Sequence, residues 1–125
     1  MKVENSFCIY VIKYATSYDS LYMLSDFLIT DANRCEKIKW YMNFLKDPEE
    51  IETGGDQTYF FVKNNVVIIS DQYDEDMPSF LTTRSNMIKI LESWSGMHKQ
   101  RPTFIKITMD EKQNVTFTPL TECKP

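Results

Sequence analysis

Two apolar runs, Tyr59–Val62 and Val66–Ile69, stand on either side of Asn64-Asn65, and this arrangement restricts the fold more than any other stretch. Both runs are rich in β-branched and aromatic residues, and asparagine tolerates the positive φ that a tight type I′ turn requires. The pattern predicts a β-hairpin. Neither run alternates apolar with polar residues, so both faces of the ribbon need cover and the hairpin is expected at the centre of a sheet.

Beyond the hairpin the chain continues as Asp71-Gln72-Tyr73-Asp74-Glu75-Asp76, four carboxylates within six residues. Such a segment must be solvated or face something cationic. Pro78 prevents the backbone from extending the ladder, and Thr82 or Thr83 can cap a helix that carries Met87, Ile88, Leu91 and Trp94 on one stripe. Gly96 is the expected helix stop.

The flanking segments complete the pattern. Phe7–Tyr14 reads as a first strand. Leu21, Leu24 and Leu28 recur at helical spacing behind Ser17 or Asp19, and Thr30 or Asp31 can cap a second helix whose stripe is Cys35, Ile38, Tyr41, Met42 and Leu45 and which Pro48 ends. From Pro48 to Asp56, Gly54-Gly55 and four acids predict a loop, and Ser95–Pro102 reads as a basic connector. Ile105, Ile107 and Met109, then Val115 and Phe117, alternate with polar residues around the turn at Asp110–Asn114, which predicts a second hairpin nearer a sheet edge. Pro119 and the residues after it are expected to fray. The order β, α, α, β, β, α, β, β predicts a single α+β domain over residues 1–120, with a largely antiparallel sheet, two hairpins and about three packed helices, and a disordered tail at 121–125.

A chain of 125 residues with 42% apolar and 26% charged residues can bury one core. Lys13 interrupts the N-terminal apolar run and no small-residue cleavage site follows, so no signal peptide is expected. No apolar stretch approaches the roughly 18 residues needed to cross a bilayer, and the expected location is the cytoplasm, with no membrane partner. Cys8, Cys35 and Cys123 form no C-x-x-C pair; free thiols are expected, with Cys8 and Cys35 as small core residues and Cys123 in the tail.

Charge is unevenly placed. Residues 47–76 hold nine acids and the single base Lys63, whereas the rest of the chain holds nine acids and thirteen bases. That central anionic segment argues against nucleic acid as its ligand and for a cationic partner, unless it is simply a solvated rim. Lys99 and Arg101 have no aromatic stacking platform beside them, so no useful RNA affinity is expected.

Catalytic constellations are missing. The one histidine, His98, has no nucleophile or acid arranged with it and reads as a solvent-facing structural residue, and no glycine-rich phosphate loop occurs. Asp71, Asp74, Glu75 and Asp76 could offer hard oxygen ligands, but the calcium-loop pattern is broken and no glycine sits at the turn. The chain is therefore read as a non-enzyme without cofactor or metal. Protein binding is better supported, because Tyr73 amid carboxylates offers a rigid aromatic anchor with charge complementary to a basic surface. The alternative is that Tyr73 packs on Met77 and Phe80.

The segment Val66–Trp94, a strand running into Ser-Asp-Gln-Tyr-Asp-Glu-Asp and then Thr-Thr-Arg-Ser-Asn-Met-Ile-Lys-Ile-Leu-Glu-Ser-Trp, resembles bacterial immunity proteins of polymorphic toxin and contact-dependent growth inhibition systems. The resemblance implies an antitoxin that binds a cognate toxin domain, often a nuclease, and blocks its active site or substrate surface. If the partner is a nuclease its cleft is cationic, and the expected toxin-binding residues are Asp71, Tyr73, Asp74, Glu75 and Asp76, with Glu50, Glu52 and Asp56 as a weaker, more mobile second patch. Two other readings stand beside it: a small metal-dependent hydrolase using the Asp71–Asp76 carboxylates, and a regulatory adaptor for a basic protein.

Overall fold

The computed structural model describes residues 8–12, 18–47, 49–102 and 104–120, with side chains from residue 21 on. In chain order the elements are β1 (Cys8–Ile12), α1 (Tyr18–Thr30), α2 (Cys35–Lys46), β2 (Ile51–Gly54), β3 (Thr58–Lys63), β4 (Val66–Asp71), β5 (Phe80–Thr83), α3 (Arg84–Gln100), β6 (Phe104–Met109) and β7 (Val115–Leu120). Among the described residues this is a small α+β fold with three helices and four antiparallel pairs of consecutive strands, the two expected hairpins among them.

The Asn64-Asn65 hairpin forms as the sequence predicts. Asn64 takes a φ of 53° but Asn65 does not take a positive φ, so the turn lacks the second positive φ that the expected type I′ form requires; the register pairs Phe60 with Ile69 and Val62 with Val67. All four of these side chains are fully buried, whereas Tyr59, Phe61 and Ile68 on the other face are only half-covered. One face of the ribbon therefore faces the core and the other is partly wet. The hairpin is central, because the sheet order is β2-β3-β4-β5 with every neighbour antiparallel.

The strands divide between two sheets rather than one. The second sheet has the order β1-β6-β7, in which β6 and β7 are the expected second hairpin and β1 runs parallel to β6. Pro119 belongs to β7, at the sheet edge, where its missing N–H costs no ladder bond on the outer side. The helices join the sheets: α1 packs on β1 and also on β4 and β5, while α3 packs on β7, β5, β4 and α2.

Two strands lie where the sequence predicts none. β2 occupies the acidic segment read as loop, and β5 follows directly on Pro78-Ser79. Both are short edge strands whose ladder partner, not their own propensity, fixes their conformation.

The third helix begins as expected and ends later. Thr83 caps it, its hydroxyl accepting from the Asn86 amide at 3.1 Å, and Met87, Ile90, Leu91, Trp94 and Met97 form its buried stripe. Gly96 does not stop it. That glycine is exposed with open space around it, and a cost of roughly 1 kcal/mol relative to alanine is outweighed by burying Met97 one residue on. Residues 95–100, read as a connector, are thus helical, and Lys99 complements the dipole in the last turn. His98 is half-buried, its ring 5.8 Å from that of Trp94, rather than solvent-facing.

Polar clasps hold distant segments together. The Arg84 guanidinium donates to the carbonyls of Phe44, Leu45 and Asp47 at the end of α2, to Glu49 and to Asn64, so it caps one helix while starting another. Asn86 donates to the Gln113 carbonyl at 3.0 Å, and Gln113 in turn donates to the Leu81 carbonyl at 2.7 Å. The Trp94 indole donates to the Ala32 carbonyl at 2.7 Å across 62 residues of sequence.

Cys35 is exposed at the start of α2, a correction to the core position expected for it, because the buried stripe of that helix is Ile38, Tyr41 and Leu45. The Cys8 side chain, Pro48, Cys123 and the tail 121–125 lie outside the described residues. Trp94, fully buried, sits 5.4 Å from Phe117 of β7. Trp94→Ala should cost about 3–5 kcal/mol of unfolding free energy in a urea titration; a loss below about 1 kcal/mol would contradict this packing.

Candidate functional site

Asp31 lies one residue beyond α1 and is 5% exposed. The sequence offers it as a cap for α2, but Arg34 occupies that position without any side-chain capping bond. The Asp31 carboxylate reaches instead across to the turn between β2 and β3. It accepts from the backbone amides of Asp56, Gln57 and Thr58 and from the Thr58 hydroxyl. A buried carboxylate with no cation of its own is tolerable here because each lone pair meets a donor.

Gly55 is what lets that carboxylate approach. A Cβ at this position would overlap the Asp31 carboxyl group. The Gly-Gly pair is therefore a close-approach site, and the loop expected to be mobile is clamped.

The clamped turn holds the acidic segment in its turn. The Gln72 amide donates to the Gln57 carbonyl at 3.1 Å, and the Gln72 side chain donates to the carbonyls of Gly55 and Thr58. Tyr73 places its hydroxyl 3.1 Å from the Asp56 carbonyl, to which it donates, yet the residue is 74% exposed. Asp71 Oδ1 accepts from the amides of Tyr73 (2.8 Å) and Asp74 (3.0 Å), while its other oxygen accepts from the Gln57 side chain. Asp74 repeats the device with the Asp76 amide at 3.1 Å. These local side-chain-to-backbone bonds explain why six polar residues form a defined turn.

The predicted site residues consequently separate by role. Asp74, Glu75 and Asp76 are exposed beside Tyr73, whereas Asp71 is half-buried and both its oxygens serve the turn. Asp56 joins the acidic turn directly, through the Tyr73 bond to its carbonyl. Glu52 lies on β2 opposite Phe61 and accepts from the Tyr59 hydroxyl at 2.7 Å, which pushes the Tyr59 phenol upward. Glu50 is exposed just before β2. Tyr73 does not pack into the core as its alternative reading required.

Asp26 was not legible as part of this region. It stands on α1, and its carboxyl is raised above the ordinary aspartate range first by burial, then by the charges of Asp71 and Asp31. Tyr41, buried under the same group of acids, is likewise pushed upward by burial and by Asp31 and Asp56. On α1, Tyr22 and Ile29 are exposed and fall on the Asp26 side at helical spacing. Among the described residues the one ion pair joins Arg34 to Glu36 at 3.3 Å, so none of the described bases pairs with an acid on this face.

The same face offers little to a metal. Among the described residues no group of three or more His, Cys, Asp or Glu side chains is gathered closely enough to hold an ion. No helix of the described residues is long and apolar enough to cross a membrane. No protein-family model, curated protein or solved structure gives a match to the chain.

Two outcomes follow from this geometry. Gly55→Ala should destabilise the fold by about 1–3 kcal/mol in denaturant titration, because Asp31 or the turn must move; an unchanged midpoint would mean that the carboxylate does not sit against the turn. Asp26 is protonated more readily folded than unfolded, so its contribution to stability falls as pH rises from the ordinary aspartate range through its raised value. Asp26→Asn should therefore be more stable than the parent at neutral pH, with the difference closing below the ordinary aspartate range. A variant less stable at neutral pH would contradict the assignment.

Proposed function

We propose that the chain is a binding protein without catalysis of its own, whose acidic face docks on a cationic protein surface. The single observation that carries this reading is Tyr73, a 74% exposed aromatic ring held in place by a hydrogen bond and ringed by unneutralised carboxylates. An aromatic side chain fixed before contact loses little conformational freedom on docking, and charge complementarity around it accelerates encounter. The resemblance of Val66–Trp94 to immunity proteins supports a more specific form of the proposal. The chain is an antitoxin acting in the bacterial cytoplasm, and its partner is a toxin domain of the nuclease class whose phosphate-binding cleft the turn occupies.

Within that reading Tyr73, Asp74, Glu75 and Asp76 make the contact. Asp71 serves as a positioning residue for the turn, and Asp56 and Glu52 extend the negative field. Replacing Asp74, Glu75 and Asp76 by Asn, Gln and Asn should leave the unfolding midpoint within about 0.5 kcal/mol of the parent. Against a cognate toxin domain, the same variant should associate more slowly and bind about 2–5 kcal/mol more weakly, and it should lose protection of growing cells. Undiminished affinity and protection would remove this turn from the interface. Tight binding to a basic protein that is not toxic would favour the adaptor reading, and a saturable magnesium, manganese or calcium site on the turn would favour the hydrolase.

A further inference from the structure

The outward face of the β2-β3-β4-β5 sheet is apolar where a wet face is ordinarily polar. The helices pack on its other side, where Phe60, Val62, Val67 and Ile69 are fully buried and Phe27 stacks on Phe60 at 5.4 Å. On the outward side the ladder sets Phe61, Ile68 and Leu81 next to one another across three strands, with Val66 one row along. Leu81 is 53% and Val66 45% exposed, and Phe61 and Ile68 are partly exposed. An antiparallel sheet with one solvated face alternates apolar with polar residues, and a contiguous exposed apolar patch within a polar rim marks a contact surface.

The acidic segment starts at the rim of this patch. Tyr59 pairs with Ser70 in the last row of the face, and Thr58 pairs with Asp71 directly beyond it. Gly54 pairs with Tyr59 and so belongs to the same face, and the Gln72 side chain lies over it: a Cβ at Gly54 would meet Gln72 Oε1 at 2.8 Å. Glu52, in the row of Phe61, accepts from the Tyr59 hydroxyl. Lys63 stands at the opposite end, paired with Val66.

We infer, resting on the reading that the acidic turn meets a cationic protein, that this sheet face is the other half of the same interface. It takes a single segment of that partner, with apolar side chains along the sheet and Lys or Arg at the end nearest Asp71. Size and charge select that occupant. From β2 to β5 at about 4.8 Å per strand, and from Tyr59 to Lys63 at about 3.3 Å per residue, the face measures roughly 14 by 13 Å. One helix, about 10 Å wide, or one pair of strands covers it, whereas a stable homodimer covers about 800 Å² on each copy. A second copy would also add a second net charge of −4, and a nucleic acid or an anionic membrane would be repelled by the rim. Residues 47–76 hold nine acids against the single base Lys63, so bases on a partner segment find complementary charge there. Its apolar side chains then cover Phe61, Ile68 and Leu81.

The test uses the whole chain and two fluorescein-labelled peptides of about twelve residues, each with about four lysines at one end, read by anisotropy. One carries leucines at helical spacing beyond the lysines, and the other carries serines in their place. The leucine peptide should bind saturably and about tenfold more tightly than the serine peptide. Leu81→Ser with Val66→Ser should abolish that difference, whereas Asp74→Asn, Glu75→Gln and Asp76→Asn together should weaken both peptides about tenfold. Unfolding midpoints identify any variant that fails to fold; should the sheet pair do so, Leu81→Ser decides alone. If the triple variant weakens binding while the sheet pair leaves the difference between the peptides intact, the sheet face is excluded and the acidic turn stands. If the triple variant binds both peptides as the parent does, the acidic turn fails and the segment's charged end with it. The inference is also overturned if neither peptide binds saturably, if the two bind alike, or if sedimentation shows a dimer that Leu81→Ser dissociates.

Discussion

A single buried carboxylate, that of Asp31, holds the acidic end of the molecule together. It follows the last turn of α1, where the helix dipole disfavours negative charge by about 0.3–1 kcal/mol. Against that stand its bonds to three backbone amides and a hydroxyl, and hydrogen bonds to a charged group contribute about 1.5–3 kcal/mol each. The bonds win, and the carboxylate is drawn away from the cap of α2, which starts uncapped at Arg34. From the clamped turn the order passes outward through Gln57 and Gln72 to the acidic segment. The exposed carboxylates thus rest on a buried one, and the like charges of Asp31, Asp71 and Asp26 are tolerated together because two of the three are surrounded by donors.

How much of this could be read from the chain depends on whether the signal was local. The hairpin was legible because asparagines at the turn and β-branched runs beside it are short-range features, and Thr83 as a helix cap was legible for the same reason. β2 was hidden because Gly54-Gly55 and the acids in and around it favour a loop and only the ladder with β3 makes it a strand. Gly96 misled since a glycine in a helix is weakly unfavourable and tertiary burial of its neighbours decides the outcome. The acidic turn was visible by composition, but its support was not. Asp31 is 25 residues from Asp56, and nothing in the pattern around it distinguishes a clasp from a helix cap. Gly54-Gly55 carried the nearest hint, a place where a backbone must approach something closely, without saying what.

Charge is arranged in the same spirit. The acids gather around the turns at the ends of β2 and β4, while the bases on α2 surround Trp40. Arg84 is the exception that shows the rule: its guanidinium is used wholly on carbonyls, where it fixes the end of α2 to the hairpin turn, and it leaves the carboxylates unneutralised. The Arg84 guanidinium thus serves the scaffold and not the acidic turn.

The claim that Asp31 positions the acidic turn can be measured directly by amide hydrogen exchange in the parent and in Asp31→Asn. The amides of Asp56, Gln57 and Thr58 bond the carboxylate itself, whereas that of Gln72 bonds the Gln57 carbonyl and that of Tyr73 bonds Asp71. Removing the charge should release all five together, while Ile69 and Val67 in the hairpin core remain protected. If the Gln72 and Tyr73 amides keep their parental protection when those of Asp56 to Thr58 lose it, the turn stands without the clasp and the account is wrong.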